Sequence, residues 1–222
     1  PAVQAAGALK DASNNTVVNL TSLNYGQREN QIQFKVEAGS VSGLRVTTQR
    51  GQEYYTKDNI ERRAFSIRYS GSEATATLTV TASTATLYAP AGTAVATIDL
   101  TQYTTVVSVV DRINAVAGFS ATVLDTSFDA PAYNGLDFIT AQDVKTADYV
   151  VKGDLQAVVD WLNGPTQAFV RATRATNVGT VPAAVGWTFL SGGSDGVTTF
   201  TDWSDAFTVL QTVDVQWVTP VS

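Results

Sequence analysis

The sequence contains no cysteine, no histidine and no methionine. Without cysteine there is no disulfide framework and no thiolate nucleophile, and without either cysteine or histidine the usual zinc sites cannot form. The missing imidazole removes the commonest general base and the Ser-His-Asp arrangement together. Charge is scarce as well: 14 basic against 20 acidic side chains give a formal net charge of -6. That sign argues against nucleic acid or an anionic membrane surface as partner. No apolar run approaches the roughly 18 residues of a membrane span. Pro1 to Lys10 has neither the basic start nor the apolar core of a secretory signal. A translated chain starts with methionine, so a sequence beginning Pro1-Ala2-Val3 is expected to be part of a longer protein.

What is present is threonine, 31 of 222 residues, in a chain that is 44% hydrophobic. β-branched residues in that quantity favour pleated, half-buried surfaces. The clearest strand is Ala74–Ala82, where Ala74, Ala76, Leu78, Val80 and Ala82 share one face and four threonines the other. Further strands are expected at Thr16–Leu20, Gln31–Glu37, Leu44–Gln49, Phe65–Tyr69, Thr84–Tyr88, Ala94–Leu100 and Ser120–Leu124, separated by turn residues.

Three helices are expected among them. The first, Thr105 to Ala117, turns Val106, Val109, Val110, Ile113 and Val116 inward and ends at Gly118. A second begins with Asp154 as N-cap, buries Leu155, Val158, Val159 and Leu162, and stops at Asn163-Gly164-Pro165. A third starts at Thr201, buries Trp203, Ala206, Phe207 and Leu210, and leads into a strand at Asp214–Val218. With a strand at Trp187–Leu190 this would make a strand-helix-strand crossover, too small to cover a sheet on both faces. The fold class is therefore α+β and predominantly β: a sandwich or barrel-like domain with a few short helices, followed by a partial α/β segment. The expected divisions are 1–24, a partial core segment or linker; 25–150, a β-rich domain; 151–186, a short α/β segment; and 187–222, the start of an α/β domain.

Ser191-Gly192-Gly193-Ser194-Asp195-Gly196 lies between a strand and a helix, where glycine-rich loops cradle phosphates. It lacks a following lysine, and Asp195 would repel a phosphate, so Gly192, Gly193, Asp195 and Gly196 read as a structural loop. It also lacks the carboxylate spacing of a calcium loop. Glu37, Glu53, Asp58, Asp99, Asp125, Asp129, Asp137 and Asp143 could supply a glycosidase pair, but sequence brings no two of them together. Lys57 to Arg63 reads as a solvated loop or short helix, whose Asp58, Glu61, Arg62 and Arg63 are candidates for a subunit contact. Tyr54, Tyr55, Tyr69, Tyr88, Tyr103 and Trp161 would make a sugar-stacking platform if exposed together; at strand spacing they read first as packing. Asn14 and Asn19 match a glycosylation sequon that means nothing without export.

Four stretches carry a family resemblance. They are Leu20-Thr21-Ser22-Leu23-Asn24-Tyr25-Gly26 running on to Ile32; Val36-Glu37-Ala38-Gly39-Ser40 to Thr47; Ile98-Asp99-Leu100 with Val109 to Ala121; and Phe189-Leu190-Ser191-Gly192-Gly193-Ser194-Asp195-Gly196 followed by Asp202-Trp203 and Ala206-Phe207. In this order they resemble the tail sheath protein of contractile-tailed bacteriophages. The resemblance implies a structural virion protein, made in the host cytoplasm and located in the tail. Its partners would be other sheath subunits in sixfold rings, the tail tube protein and the baseplate. It implies no catalytic residue, cofactor or metal, and contraction that needs no ATP. The chain would correspond to inserted outer domains plus the edge of the core domain, folded, monomeric and unable to assemble alone. The alternative is a carbohydrate- or receptor-binding β-sandwich of a fibre or cell-wall enzyme, and a glycosidase ranks last.

Overall fold

The computed structural model describes residues 1–125, 135–197 and 199–210. β1 (Gln4–Lys10) and β2 (Thr16–Tyr25) precede a short 3-10 turn at Gln27–Gln31. β3 (Gln33–Ala38), β4 (Leu44–Arg50) and β5 (Glu53–Ile60) form a meander, and β6 (Arg63–Tyr69), β7 (Thr77–Val80), β8 (Thr84–Tyr88) and β9 (Ala94–Asp99) lead to helix α1 (Val106–Asn114). β10 (Phe119–Val123), β11 (Ile139–Asp143) and β12 (Tyr149–Lys152) come next, then α2 (Asp154–Leu162), β13 (Val170–Arg174), β14 (Val185–Phe189) and α3 (Phe200–Leu210). The strands make four sheets, ordered β1-β2-β13, β10-β6-β12, β11-β7-β8-β9 and β14-β3-β4-β5. Neighbouring strands run antiparallel throughout. The expected α+β, predominantly β class is borne out.

The alternation that marked the clearest strand governs its burial. Ala76, Leu78 and Val80 are buried while Thr77 and Thr79 are only half-buried. The strand itself is shorter than expected, Thr77–Val80, and Ala74 is exposed. The expectation of a loop or short helix at Lys57–Arg63 is corrected: Lys57–Ile60 completes β5 and Arg63 opens β6. β5 is an edge strand whose outward charges blur the period-2 signal, a common protection against edge-to-edge pairing.

Two apolar clusters hold the molecule together. One is built wholly from residues between Ala64 and Val151, including Phe65, Ile67, Leu78, Leu87, Ile98 and Ile113. The other combines residues from both sides of that stretch, from Ala5, Leu9, Leu20, Ile32 and Phe34 to Leu155, Val158, Leu162, Phe169 and Leu190. β1 and β2 pair with each other and with β13, and β14 pairs with β3, so this second core joins the two ends of the described chain. Each fully buried leucine or isoleucine contributes about 1.5–3 kcal/mol through removal from water.

α1 follows its sequence signals. Thr105 caps it, its hydroxyl accepting from the Ser108 N–H at 3.1 Å while the Thr105 N–H donates to the Ser108 hydroxyl. Val106, Val109, Val110 and Ile113 are buried. Gly118 takes φ +82°, and a Cβ there would lie 2.6 Å from Tyr69 Cε2.

α2 begins differently from the expectation. Gly153, not Asp154, is the N-cap and offers no side chain; Asp154 is the first helical residue. The third helix also departs from expectation: Trp203, Phe207 and Ala206 are exposed rather than buried. The strand expected at Asp214–Val218 and the carboxylate Asp129 lie outside the described residues.

Candidate functional site

The glycine-rich loop after β14 is occupied by the chain's own N-terminal strand. The Ser191 N–H donates to the Ala6 carbonyl at 2.9 Å and the Ser194 N–H to the Val3 carbonyl at 3.1 Å. Gly193 exchanges two bonds with the Asn30 carboxamide, both 2.8 Å. Asp195 accepts from the Gln27 N–H at 2.9 Å, at the start of the 3-10 turn. These N–H groups already have acceptors and therefore do not form an open anion nest. Gly192 sits at φ +81°, and a Cβ on Gly193 would fall 2.6 Å from the Gly26 carbonyl oxygen. A Cβ on Gly196 would lie 3.0 Å from the Ala2 nitrogen.

The charged stretch before β6 is engaged within the chain. Asp58 accepts from the Ser40 N–H at 3.0 Å, which holds its carboxyl below the usual range. Glu61 is paired with Lys152, whose hydrogen bond lowers the Glu61 carboxyl and raises the lysine. Arg62 is paired with Asp160. Arg63 is exposed. The structure thus brings Glu61 and Arg62 together with α2, and leaves Asp58 apart at the Ser40 turn.

Where the two cores meet, Glu61 and Arg62 face a polar junction that the sequence did not reveal. Asp137 reaches across to the open end of α2, its two oxygens accepting from the Asp154 N–H at 2.9 Å and the Leu155 N–H at 3.1 Å. It supplies from a distance the cap that Gly153 lacks. Asp154, released from capping, accepts from the Arg62 N–H at 2.7 Å. Arg174 Nη2 donates to the Leu136 carbonyl at 2.8 Å and so fixes the backbone beside Asp137. Burial pushes the Asp137 carboxyl up to about 6 against the two backbone donors, and the neighbouring Asp154 charge adds to the rise. Burial raises Asp154 too. The adjoining cleft, about 460 Å³, is lined by Asp11, Asp137, Tyr149, Lys152, Asp154 and Thr180 among others. Asp11 is itself tied to the Asn15 N–H and the Thr180 hydroxyl. The carboxylates here serve backbone and turn.

Other sequence candidates are dispersed. Glu37 pairs with Lys35 at 2.7 Å, Glu53 accepts from the Tyr55 hydroxyl at 2.6 Å, and Asp99 and Asp143 hold their own turns. Asp125 also has a partner. Of the six aromatics, Tyr55 packs edge-on to Phe169 and Tyr69 packs on Phe119. Only Tyr54 stands well exposed, so these six do not form one platform. Among the described residues no group of three or more acidic side chains is arranged to hold a metal ion, and no helix is long and apolar enough to cross a membrane.

No family model matches the chain. It is similar to the tail sheath protein of Bacillus phage SP01, 31% identical over 206 residues that cover 85% of this chain and 34% of that protein. The chain thus spans about a third of the length of that relative.

Proposed function

We propose that this tail-sheath-like chain is a structural part of a phage tail sheath subunit, taking its place in the shaft that surrounds the tail tube. The observation that carries the reading is the similarity to a tail sheath protein along most of the chain. The chemistry of the junction supports it: carboxylates, lysine and arginine are engaged in caps and ion pairs that pin one core to the other. In the intact subunit the partners are neighbouring sheath subunits, the tube and the baseplate, and the work is done by contraction rather than by a catalysed reaction. The exposed Arg63 and its neighbours Asp58, Glu61 and Arg62 remain the proposed subunit contact, with Gly192, Gly193, Asp195 and Gly196 as the structural loop.

Antibodies raised against the purified chain and applied to virions of the phage that encodes it test this reading. Label along the tail shaft between head and baseplate is expected. Label confined to fibres, or virions that lack the chain, would overturn it.

A further inference from the structure

The four sheets sort into two pairs. β10-β6-β12 and β11-β7-β8-β9 are built from strands between Arg63 and Lys152, and β1-β2-β13 and β14-β3-β4-β5 from strands on either side of that stretch. Among the described residues no sheet mixes strands of the two groups, and the two apolar clusters share no residue. Where the chain crosses between them, its two passes lie side by side: Lys152 is the register partner of Arg63, the Arg62 carbonyl accepts from the Gly153 N–H, and Glu61 pairs with Lys152. Residues at the ends of elements, such as these, are where a hinge absorbs a change of backbone angle.

A second join lies at the strap 136–138, each residue of which is bonded to the second core. The Leu136 carbonyl accepts from Arg174 Nη2 at 2.8 Å, Asp137 accepts from the Asp154 and Leu155 N–H groups, and the Phe138 N–H donates to the Gly179 carbonyl at 2.9 Å. The apolar side chains at its two ends go the other way: Leu136 and Ile139 are buried in the first core. The strap is thus anchored by apolar burial to one unit and held by polar bonds to the other.

The two holds differ in what it costs to break them. Withdrawing Leu136 and Ile139 exposes apolar surface, whereas the polar bonds to the second core exchange for bonds to water. The bonds to α2 are made by a carboxyl whose charged form burial disfavours, and release into water relieves that penalty. Phe138 is half-buried and packs so near Gly179 that a Cβ there would stand 2.1 Å from its Cδ1. The cleft beside the strap leaves room for movement, being lined by Asp137, Phe138 and Ile139 of one unit and Asp11, Gly179 and Thr180 of the other.

We propose that residues 136–138 form a clasp and the paired crossings at Arg62 and Gly153 a hinge, about which the unit 63–152 swings as one body against the second core when the clasp opens. The device rests on this geometry alone and does not depend on the sheath reading.

Distance measurement between two nitroxide labels by pulsed electron resonance tests it in the whole chain, which has no native cysteine to interfere. Val41→Cys, at an 89% exposed position after β3, marks one unit, and Val95→Cys, at a 47% exposed position on β9, marks the other. With no further change a single narrow distance is expected. Asp137→Ala removes both bonds to α2 and Gly179→Val drives a side chain into Phe138, and each is expected to add a displaced population of about 10% or more. Asn163→Ala, which loosens α2 from β13 within the second core, should leave the distance narrow. Circular dichroism and amide exchange in β2 and β8 check that both units remain folded. Distances as narrow in both clasp variants as in their parent would overturn the proposal, as would a parent distribution that is already broad. Unfolding of either core by both substitutions would overturn it too, since 136–138 would then be part of that core rather than a clasp upon it.

Discussion

Asp137→Asn isolates the most perturbed carboxyl among the described residues. In the unfolded chain an aspartate titrates near 3.8, whereas burial at the head of α2 raises Asp137 to about 6. The folded state therefore holds the proton more tightly, and the stabilisation is fully present below about pH 3.8 and lost as the pH rises through about 6. A difference of about 2.2 units at about 1.36 kcal/mol each gives at most about 3 kcal/mol over that window. Asparagine keeps the shape and cannot titrate; like the protonated carboxyl it turns one donor group toward the two helix N–H groups, and so serves as the pH-independent reference. Urea unfolding of both proteins at several values between about pH 4 and pH 7 gives the test. The advantage of wild type over the variant should shrink steadily as pH rises, by up to about 3 kcal/mol. Asp154, also raised by burial, slopes the same way in both proteins and largely drops out of the difference. An advantage that stays constant with pH, or grows as pH rises, would refute the reasoning.

Three other outcomes follow from the geometry. Gly193→Val forces a side chain to within 2.6 Å of the Gly26 carbonyl oxygen, and is expected to cost about 1–3 kcal/mol in chemical denaturation; unchanged stability would mean that the loop does not hold β1. Asn163→Ala removes two hydrogen bonds to Ala172, of 2.8 and 2.9 Å, that tie the end of α2 to β13, and should lower stability by about 1–3 kcal/mol. A melting temperature equal to wild type would count against that tie. Light scattering after gel filtration is expected to show a monomer without added ligand, and tubes or rings from these 222 residues would refute that expectation.

Elements with a strong local period were legible in the sequence. α1 and β8 are legible because Val106, Val109, Val110 and Ile113 at helical spacing before Gly118, or alternating Thr and Ala with Leu87, carry their own signals. β1 escaped because Gln4–Lys10 is rich in alanine and becomes a strand through its partners, β2 on one side and the Ser191–Ser194 loop on the other. The start of α2 was misread for a related reason. Asp154 is a good N-cap type, but Asp137, 17 positions away, reaches the same N–H groups, and no local rule reports that distance. α3 shows the converse: its apolar stripe was plain, yet a stripe does not state what will cover it.

The chain leaves the second core after Ile60 and returns to it at Gly153, and the two crossings touch: the Gly153 N–H donates to the Arg62 carbonyl at 2.9 Å. The buried residues of the first core all lie between Ala64 and Val151. Closing a short linker across such a gap costs little loop entropy. Excision of residues 64–151 would close across a short gap but would also take Asp137 from the head of α2 and Leu136 from Arg174, so any replacement domain would have to bring its own cap.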